Sequence, residues 1–331
     1  MLRSLNSAVS GMKNHQTRLD VIANNVANVN TYGFKSSRVV FKEMYNQTVQ
    51  GASASSQQLG GTNPRQIGLG MSVGAIDVQM QGTGSAYTTD NTFDLMLEGD
   101  GFFIAGERVV DETTNPATVT YNEHYTRAGN FYLVPSGLGT MKVNTWKNAG
   151  TKPDDPTDDV YEMQDRNMFD LVTQDGLFVL GTMADPTSNT TDQKGWPDKP
   201  VDLKEPMVPI RIPEDAYNVK VDQQGNISFI NKNNEIKYIG KVCTAQFVNP
   251  GGLEKIGDNL YDQTSNSGIV QYTTPGDPGA GTVKSGALEM SNTNLAQEFT
   301  DLITTQRGYQ ANSRIITVSD TILEELVNLK R

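Results

Sequence analysis

The chain is poor in the residues most folds use for covalent reinforcement or for chemistry. Among 331 residues there is one cysteine, Cys243, and there are two histidines, His15 and His124. A single cysteine excludes an intrachain disulfide framework. Neither histidine has a cysteine, histidine or carboxylate neighbour at metal-ligand spacing, so no zinc site is expected. Val242-Cys243-Thr244-Ala245 reads as a strand in a core, not as a nucleophile awaiting a base. Long apolar runs are missing too. No stretch approaches the roughly 18 consecutive apolar residues of a membrane-spanning helix. The opening Met1-Leu2-Arg3-Ser4-Leu5-Asn6-Ser7 has no continuous apolar core, so a cleaved secretory signal is not expected. Positive charge is outnumbered, 27 Lys and Arg against 38 Asp and Glu, and the net charge of -11 argues against nucleic acid as a partner.

Short motifs fare no better. The pairs Gly68-Leu69-Gly70 and Gly99-Asp100-Gly101 lack the third glycine, and the lysine, of a phosphate-binding loop. The acidic cluster Asp154, Asp155, Asp158 and Asp159 lacks the spacing of a calcium loop. Asn46-Gln47-Thr48, Asn189-Thr190-Thr191 and Asn226-Ile227-Ser228 fit a glycosylation pattern so short that it recurs by chance. No catalytic, cofactor-binding or metal-binding residue is assigned, and no enzyme is expected.

What the chain does have is periodicity at both ends. Leu2, Leu5, Val9, Met12, Gln16, Leu19, Ala23 and Val26 step by 3 and 4 alternately, with Ile22 and Val29 beside them. Leu295, Phe299, Leu302, Gln306, Tyr309, Ser313, Ile316, Asp320, Leu323 and Val327 do the same. Such heptad seams predict helices over 1–30 and 286–331, and a seam needs a partner to bury against. The simplest partner is the other end of the chain. A two-helix hairpin would still expose Ile22, Val29, Ile303, Ile315, Ile322 and Leu326, a flank suited to further copies of the same chain. Head-to-tail contacts of that kind build helical filaments.

Between the ends the texture changes. Residues 31–70, with Gly51-Ala52-Ser53-Ala54-Ser55-Ser56-Gln57-Gln58 at their centre, read as an extended connector. Residues 71–285 read as a β-rich domain, with irregular insertions around 104–124, 134–169 and 184–209. Two hairpins are expected there, turning at Gln174-Asp175-Gly176 and near Gln224-Gly225-Asn226. The fold class is therefore α+β, with a terminal helical coiled coil, a β-rich body, and an outer domain that is small or absent.

One string is more specific than any periodicity. Ile22-Ala23-Asn24-Asn25-Val26-Ala27-Asn28-Val29-Asn30-Thr31-Tyr32-Gly33-Phe34-Lys35 resembles the signature shared by rod and hook proteins of the bacterial flagellum. Its asparagines read as a helix end that tolerates left-handed backbone and satisfies terminal carbonyls, and Gly33 as the stop. Further family-like strings follow in order: Glu98-Gly99-Asp100-Gly101-Phe102-Phe103, Tyr125-Thr126-Arg127-Ala128-Gly129-Asn130-Phe131, Pro250-Gly251-Gly252-Leu253 through Tyr261, and Gln306-Arg307-Gly308-Tyr309-Gln310-Ala311-Asn312. Within that family, Met1-Leu2-Arg3-Ser4-Leu5 and the ending Leu326-Val327-Asn328-Leu329-Lys330-Arg331 resemble hook proteins, as does the length. About 30 irregular residues after Gly181, where a hook protein inserts an outer domain, keep a distal-rod reading open.

The resemblance implies a non-enzymatic subunit of an extracellular axial polymer. It implies rod, hook-cap and hook–filament junction proteins as neighbours, and type III export in place of the general secretory route. The candidate assembly residues are the large apolar seam members: Leu2, Leu5, Val9, Met12, Leu19, Ile22, Val26, Leu295, Phe299, Leu302, Tyr309, Ile316, Leu323 and Val327. The competing reading from another class is a monomeric secreted surface protein with a ligand pocket in 104–215.

Overall fold

The computed structural model describes residues 2–54, 60–111, 118–137, 140–146, 161–184, 189–190, 193–194, 196–197, 199–202, 207–231 and 235–329. The expected acidic loop at 153–159 and nearly half of the excursion at 184–209 lie outside them. The chain divides into two compact units. The first comprises residues 1–30, 35–80 and 292–331; the second takes 31–34 and 81–291.

In the first unit, helix α1 runs Leu2–Ala27 and helix α2 runs Leu295–Asn328. Helix α1 closes through its own asparagines. The Asn28 amide and its Nδ2 both donate to the Asn24 carbonyl, at 3.1 and 3.0 Å, and Val29 N tightens onto Val26 O. Helix α2 starts at an asparagine cap, Asn294, whose Oδ1 accepts from the amides of Ala296 and Gln297. It begins nine residues later than the periodicity suggested, because Ala287–Glu289 is a strand. Asn294 offers the free amides an acceptor, and Glu298 in the first turn complements the positive end of the helix.

Between the helices in sequence, the segment expected as an extended connector forms part of a long antiparallel ribbon. Strands β1 (Ser37–Glu43) and β4 (Met71–Val78) pair along their length, with one irregularity at Val40/Phe41. Strands β2 (Asn46–Gln50) and β3 (Arg65–Gly68) extend the ribbon, and a bridge joins Ser53 to Thr62. Every residue of β2 and β3 is exposed. Cross-strand backbone bonding needs no burial, so a polar segment can be ordered without a core pattern to announce it. A two-stranded ribbon is marginal alone. Its base docks on α1: Val39 is buried, and Asn14 Nδ2 donates to Met71 O at 2.6 Å.

The second unit is an antiparallel β body. Strand β5 (Ala86–Thr88) pairs with Ala287–Glu289, and β6 (Leu95–Glu98) pairs with Thr282–Ser285. Strands β7 (Phe102–Asp111) and β8 (Thr118–Thr126) form a hairpin with nine paired positions, Phe103↔Thr126 to Asp111↔Thr118. The insertion expected around 104–124 is thus mostly regular strand. Its β-branched run of Val109, Val110, Val119 and Thr120 suits a pleated surface, which the interrupting charges obscured. Part of the expected insertion at 134–169 is likewise paired, Met141–Trp146 against Tyr161–Arg166. Both expected hairpins are present, Val172 facing Phe178 and Val221 facing Ile227. The core gathers around Leu95, Leu97, Phe103, Phe131, Val179 and Ile239, each of which stabilises by about 1.5–3 kcal/mol on burial.

A buried ion pair ties this unit together. Arg127 and Glu289, 3% and 1% exposed, meet at 3.4 Å. Arg127 Nη2 donates to Gly99 O at 2.8 Å, and Glu289 Oε1 accepts from the Gly84 amide at 3.0 Å. Gly33 joins the same assembly, its amide donating to Glu289 O at 2.8 Å. Its φ of +69° suits glycine, and a Cβ there would sit 2.5 Å from Ala128 N, so close approach is its role here. Removing one ion partner strands the other in a dry site, which costs about 3–5 kcal/mol. Arg127→Met should therefore lower the urea midpoint sharply. Arg127→Met/Glu289→Gln, which removes both charges and keeps an acceptor for Gly84, should lose less; equal losses would show the pairing to be irrelevant.

Candidate functional site

The two terminal helices pack antiparallel. Contacts that advance along α1 retreat along α2: Gly11 meets Asn312, His15 meets Gly308, and Arg18 meets Asp301. The approach depends on two glycines facing opposite ways. A Cβ on Gly11 would lie 2.9 Å from Asn312 Nδ2, and one on Gly308 would lie 2.8 Å from His15 Cε1. Each glycine is a notch for a side chain of the other helix.

The packed faces are accordingly not the large apolar seams expected. On α1 the buried positions are Ala8, Gly11, Ile22 and Asn25, one step away from the apolar series. Leu5, Val9, Met12, Leu19 and Val26 flank them, half-buried, while Gln16 and Ala23 are exposed. The side chain of Leu2 lies outside those described. On α2, Leu302, Tyr309, Ile316 and Leu323 are half-buried. Between them Thr305, 1% exposed, and Ser319 are buried and Asn312 and Ser313 half-buried, whereas Gln306 and Asp320 are exposed. Leu295, Phe299 and Val327, expected in the seam, are exposed, Phe299 by 50%. A heptad admits two neighbouring faces, and the closer-packing one wins because small residues let backbones approach. The signal in the sequence was the parallel series Ala8, Gly11, His15, Arg18, Ile22, Asn25 at the same 3–4 spacing.

Polar groups lock the register. Asn25, 1% exposed, donates from Nδ2 to Ser37 O at 2.8 Å and to Glu298 Oε1 at 3.0 Å, and its Oδ1 accepts from Ser37 N. One signature asparagine thus joins α1, α2 and β1. Burial pushes the Glu298 carboxyl above its ordinary value, with the charge of Asp301 adding to the rise, while the bond to Asn25 and the charge of Arg18 oppose it. Nearby, Arg18 Nη2 pairs with Asp301 Oδ1 at 3.1 Å. A polar cavity of about 290 Å³ adjoins these groups, lined by Arg18, Ser37, Arg38, Glu298 and Asp301 among others. Of the other signature residues, Asn24 and Asn30 are exposed, and Asn28 is half-buried with Nδ2 on Asn24. None of the four takes the left-handed backbone that asparagine tolerates; among the described residues the non-glycines that do are Asp90, Asn218, Asp258 and Asn259. Gly33 and Phe34 belong to the second unit, where Lys255 Nζ lies 4.9 Å from the Phe34 ring centre.

With the small-residue faces turned inward, apolar side chains remain outside on α2. Phe299, Ile303, Ile315, Val318, Ile322, Leu326 and Val327 are all exposed. This agrees with the expected flank at Ile303, Ile315, Ile322 and Leu326; Ile22 is instead buried and Val29 half-buried. His124 lies within β8 with Nδ1 2.5 Å from Asp262 Oδ1, and Cys243 is fully buried. No group of three or more His, Cys, Asp or Glu side chains that could hold a metal occurs among the described residues. No described helix is long and apolar enough to cross a membrane.

Two family models match the chain, and both fall on its ends. Residues 5–35 match the flagella basal body rod protein model, and residues 284–329 match the C-terminal model of the flagellar basal body rod FlgEFG proteins. The chain is 43% identical over 332 positions to the flagellar basal-body rod protein FlgG of Bacillus subtilis, with both chains fully covered. It is 32% identical over 459 positions to the flagellar hook protein FlgE of Borreliella burgdorferi, again with both fully covered. Similarity to the FlgG rod protein of Caulobacter vibrioides is 29% over 333 positions, covering 99% of this chain and 100% of that one.

If the glycine notches set the helix spacing, Gly308→Val should destabilise the helix pair by about 1–3 kcal/mol, the usual cost of overpacking. Ala311→Val, at an exposed position of the same helix, should stay within about 0.5 kcal/mol. Thermal unfolding followed at the helical circular-dichroism band separates the two. Equal effects would show that the notch does not govern the packing.

Proposed function

We propose a function from one premise, that this chain belongs to the flagellar rod and hook protein family: it polymerises with copies of itself into a segment of the flagellar axial tube. The observation that carries this is the apolar face of α2. Phe299, Ile303, Ile315, Val318 and Ile322 stay exposed beside a helix pair already satisfied by its small-residue seam. Burying each against a second copy would contribute about 1.5–3 kcal/mol. Repetition along a non-closing operator then yields a filament. The role is structural, and needs no catalytic group.

The position in the axis is the distal rod. Alignment with the Bacillus rod relative runs 332 positions against 331 residues here, nearly residue for residue. Alignment with the hook relatives runs 459 and 465 positions, so those proteins carry a large segment without a counterpart in this chain. A second reading, the hook, has its own support in the hook-like opening and ending strings and in 32% identity over the full chain. In either place the subunit would be exported without a cleaved signal through the flagellar type III apparatus. It would abut other rod proteins below, and hook, cap or junction proteins above.

Two measurements test the proposal. Ile315→Asp/Ile322→Asp should raise the concentration needed for polymerisation by at least about tenfold per site, given the burial energy lost. Its helical signal should stay intact, since both side chains are exposed in the single subunit. Polymers forming at the wild-type concentration would refute the assembly face. Electron microscopy of wild-type tubes then distinguishes rod from hook: straight, stiff tubes are expected, and curved, bendable ones would favour the hook.

A further inference from the structure

We propose that His15 is an acid-sensitive latch of the first unit: neutral, it closes the junction of α1, α2 and β1; protonated, it opens it. This is independent of the assembly reading, because it concerns one subunit and one ring.

The ring sits where three elements meet. Its Cε1 and Nε2 lie over Gly308 of α2, in the space that a side chain there would fill. Its edge packs against Phe41 of β1, with ring centres 5.7 Å apart and planes inclined at 73°. Nδ1 is buried and has no hydrogen-bond partner among the described residues. In the neutral ring that nitrogen can be left as an unprotonated acceptor, a modest cost. Protonation forces an N–H onto it, and a buried donor of a charged group without an acceptor is much more costly.

Among the described residues no carboxylate pairs with the ring. Along α1 the charged neighbour is Arg18, of like sign, whose guanidinium pairs with Asp301 of α2 and also approaches the Phe41 ring. The other carboxylate on the α2 face, Glu298, is held by Asn25. Arg38, Lys42 and Glu43 of β1, Asp77 of β4 and Arg307 of α2 are exposed to solvent. Burial, and secondarily Arg18, hold the His15 ring below its ordinary value.

The sign follows from linkage. In the unfolded chain the ring takes up a proton near pH 6.5. In the folded unit it does so only at lower pH. Between those values the unfolded state binds more protons, so stability present above about pH 6.5 is lost as pH falls toward the folded value. A single proton changes the unfolding equilibrium by at most tenfold per pH unit. Glu298 works in the opposite sense: its raised carboxyl contributes stability below its unfolded value and loses it as pH rises through the folded one.

With only two histidines in the chain, ring-proton NMR of the full-length protein resolves both, and His15→Phe assigns them. The expected result is a His15 ring that titrates below its unfolded value. Between about pH 7.5 and about pH 5.5 the unfolding equilibrium of the wild type should rise several-fold more than that of His15→Phe or His15→Gln. His124 is present in all three proteins, so its contribution cancels in the comparison. A His15 ring titrating at or above 6.5, or the same pH slope in the variants as in the wild type, overturns the proposal. Should both variants fail to fold, the wild-type ring titration alone decides it.

Discussion

Two helices that begin and end the chain can lie against each other only because each lacks a side chain where the other needs room. Gly11 admits Asn312, and Gly308 admits His15. That mutual approach governs the rest of the first unit. It brings Arg18 to Asp301 and Asn25 to Glu298, and so fixes the register at which the base of the β ribbon can bond to α1. It also decides what is left outside. A seam built on alanine, glycine, threonine and serine beside Ile22 leaves Phe299, Ile303, Ile315, Val318 and Ile322 on the outside of α2. Close packing of the helices and exposure of apolar side chains on α2 are two results of the same constraint.

The second unit solves a different problem by different means. Segments far apart in sequence, around Gly33, Gly84, Gly99, Arg127 and Glu289, must meet at one place. Apolar packing tolerates small shifts of register, whereas a buried guanidinium and carboxylate with defined backbone partners do not. The pair adds little net stability over an apolar replacement, but any misplacement of those segments leaves a charge or an amide unsatisfied. Gly33 is part of this construction, which explains a glycine six residues beyond the end of α1.

The long exposed ribbon formed by β2 and β3 adds reach without adding a core, because its order comes from cross-strand backbone bonds. In length the chain follows its rod relatives closely, and it lacks the extra segment of the hook relatives.

Much of this was legible in the residues themselves. The heptad spacing of the ends marks two helices, because a period near 3.5 cannot be satisfied by strand. Turn residues between β-branched runs mark the two central hairpins, and the asparagine-rich string with Gly33 and Phe34 marks the family. These are local properties, determined by backbone sterics and side-chain period over a few residues. What only the tertiary structure decided is which of two adjacent helix faces turns inward, that the polar stretch after β1 folds back as a ribbon, and that Asn25 and Glu289 act at junctions of distant segments. The physical reason is that close packing and backbone pairing are energies of pairs. Gly308 is a defect in an isolated helix, and becomes an advantage only once His15 occupies the space it leaves.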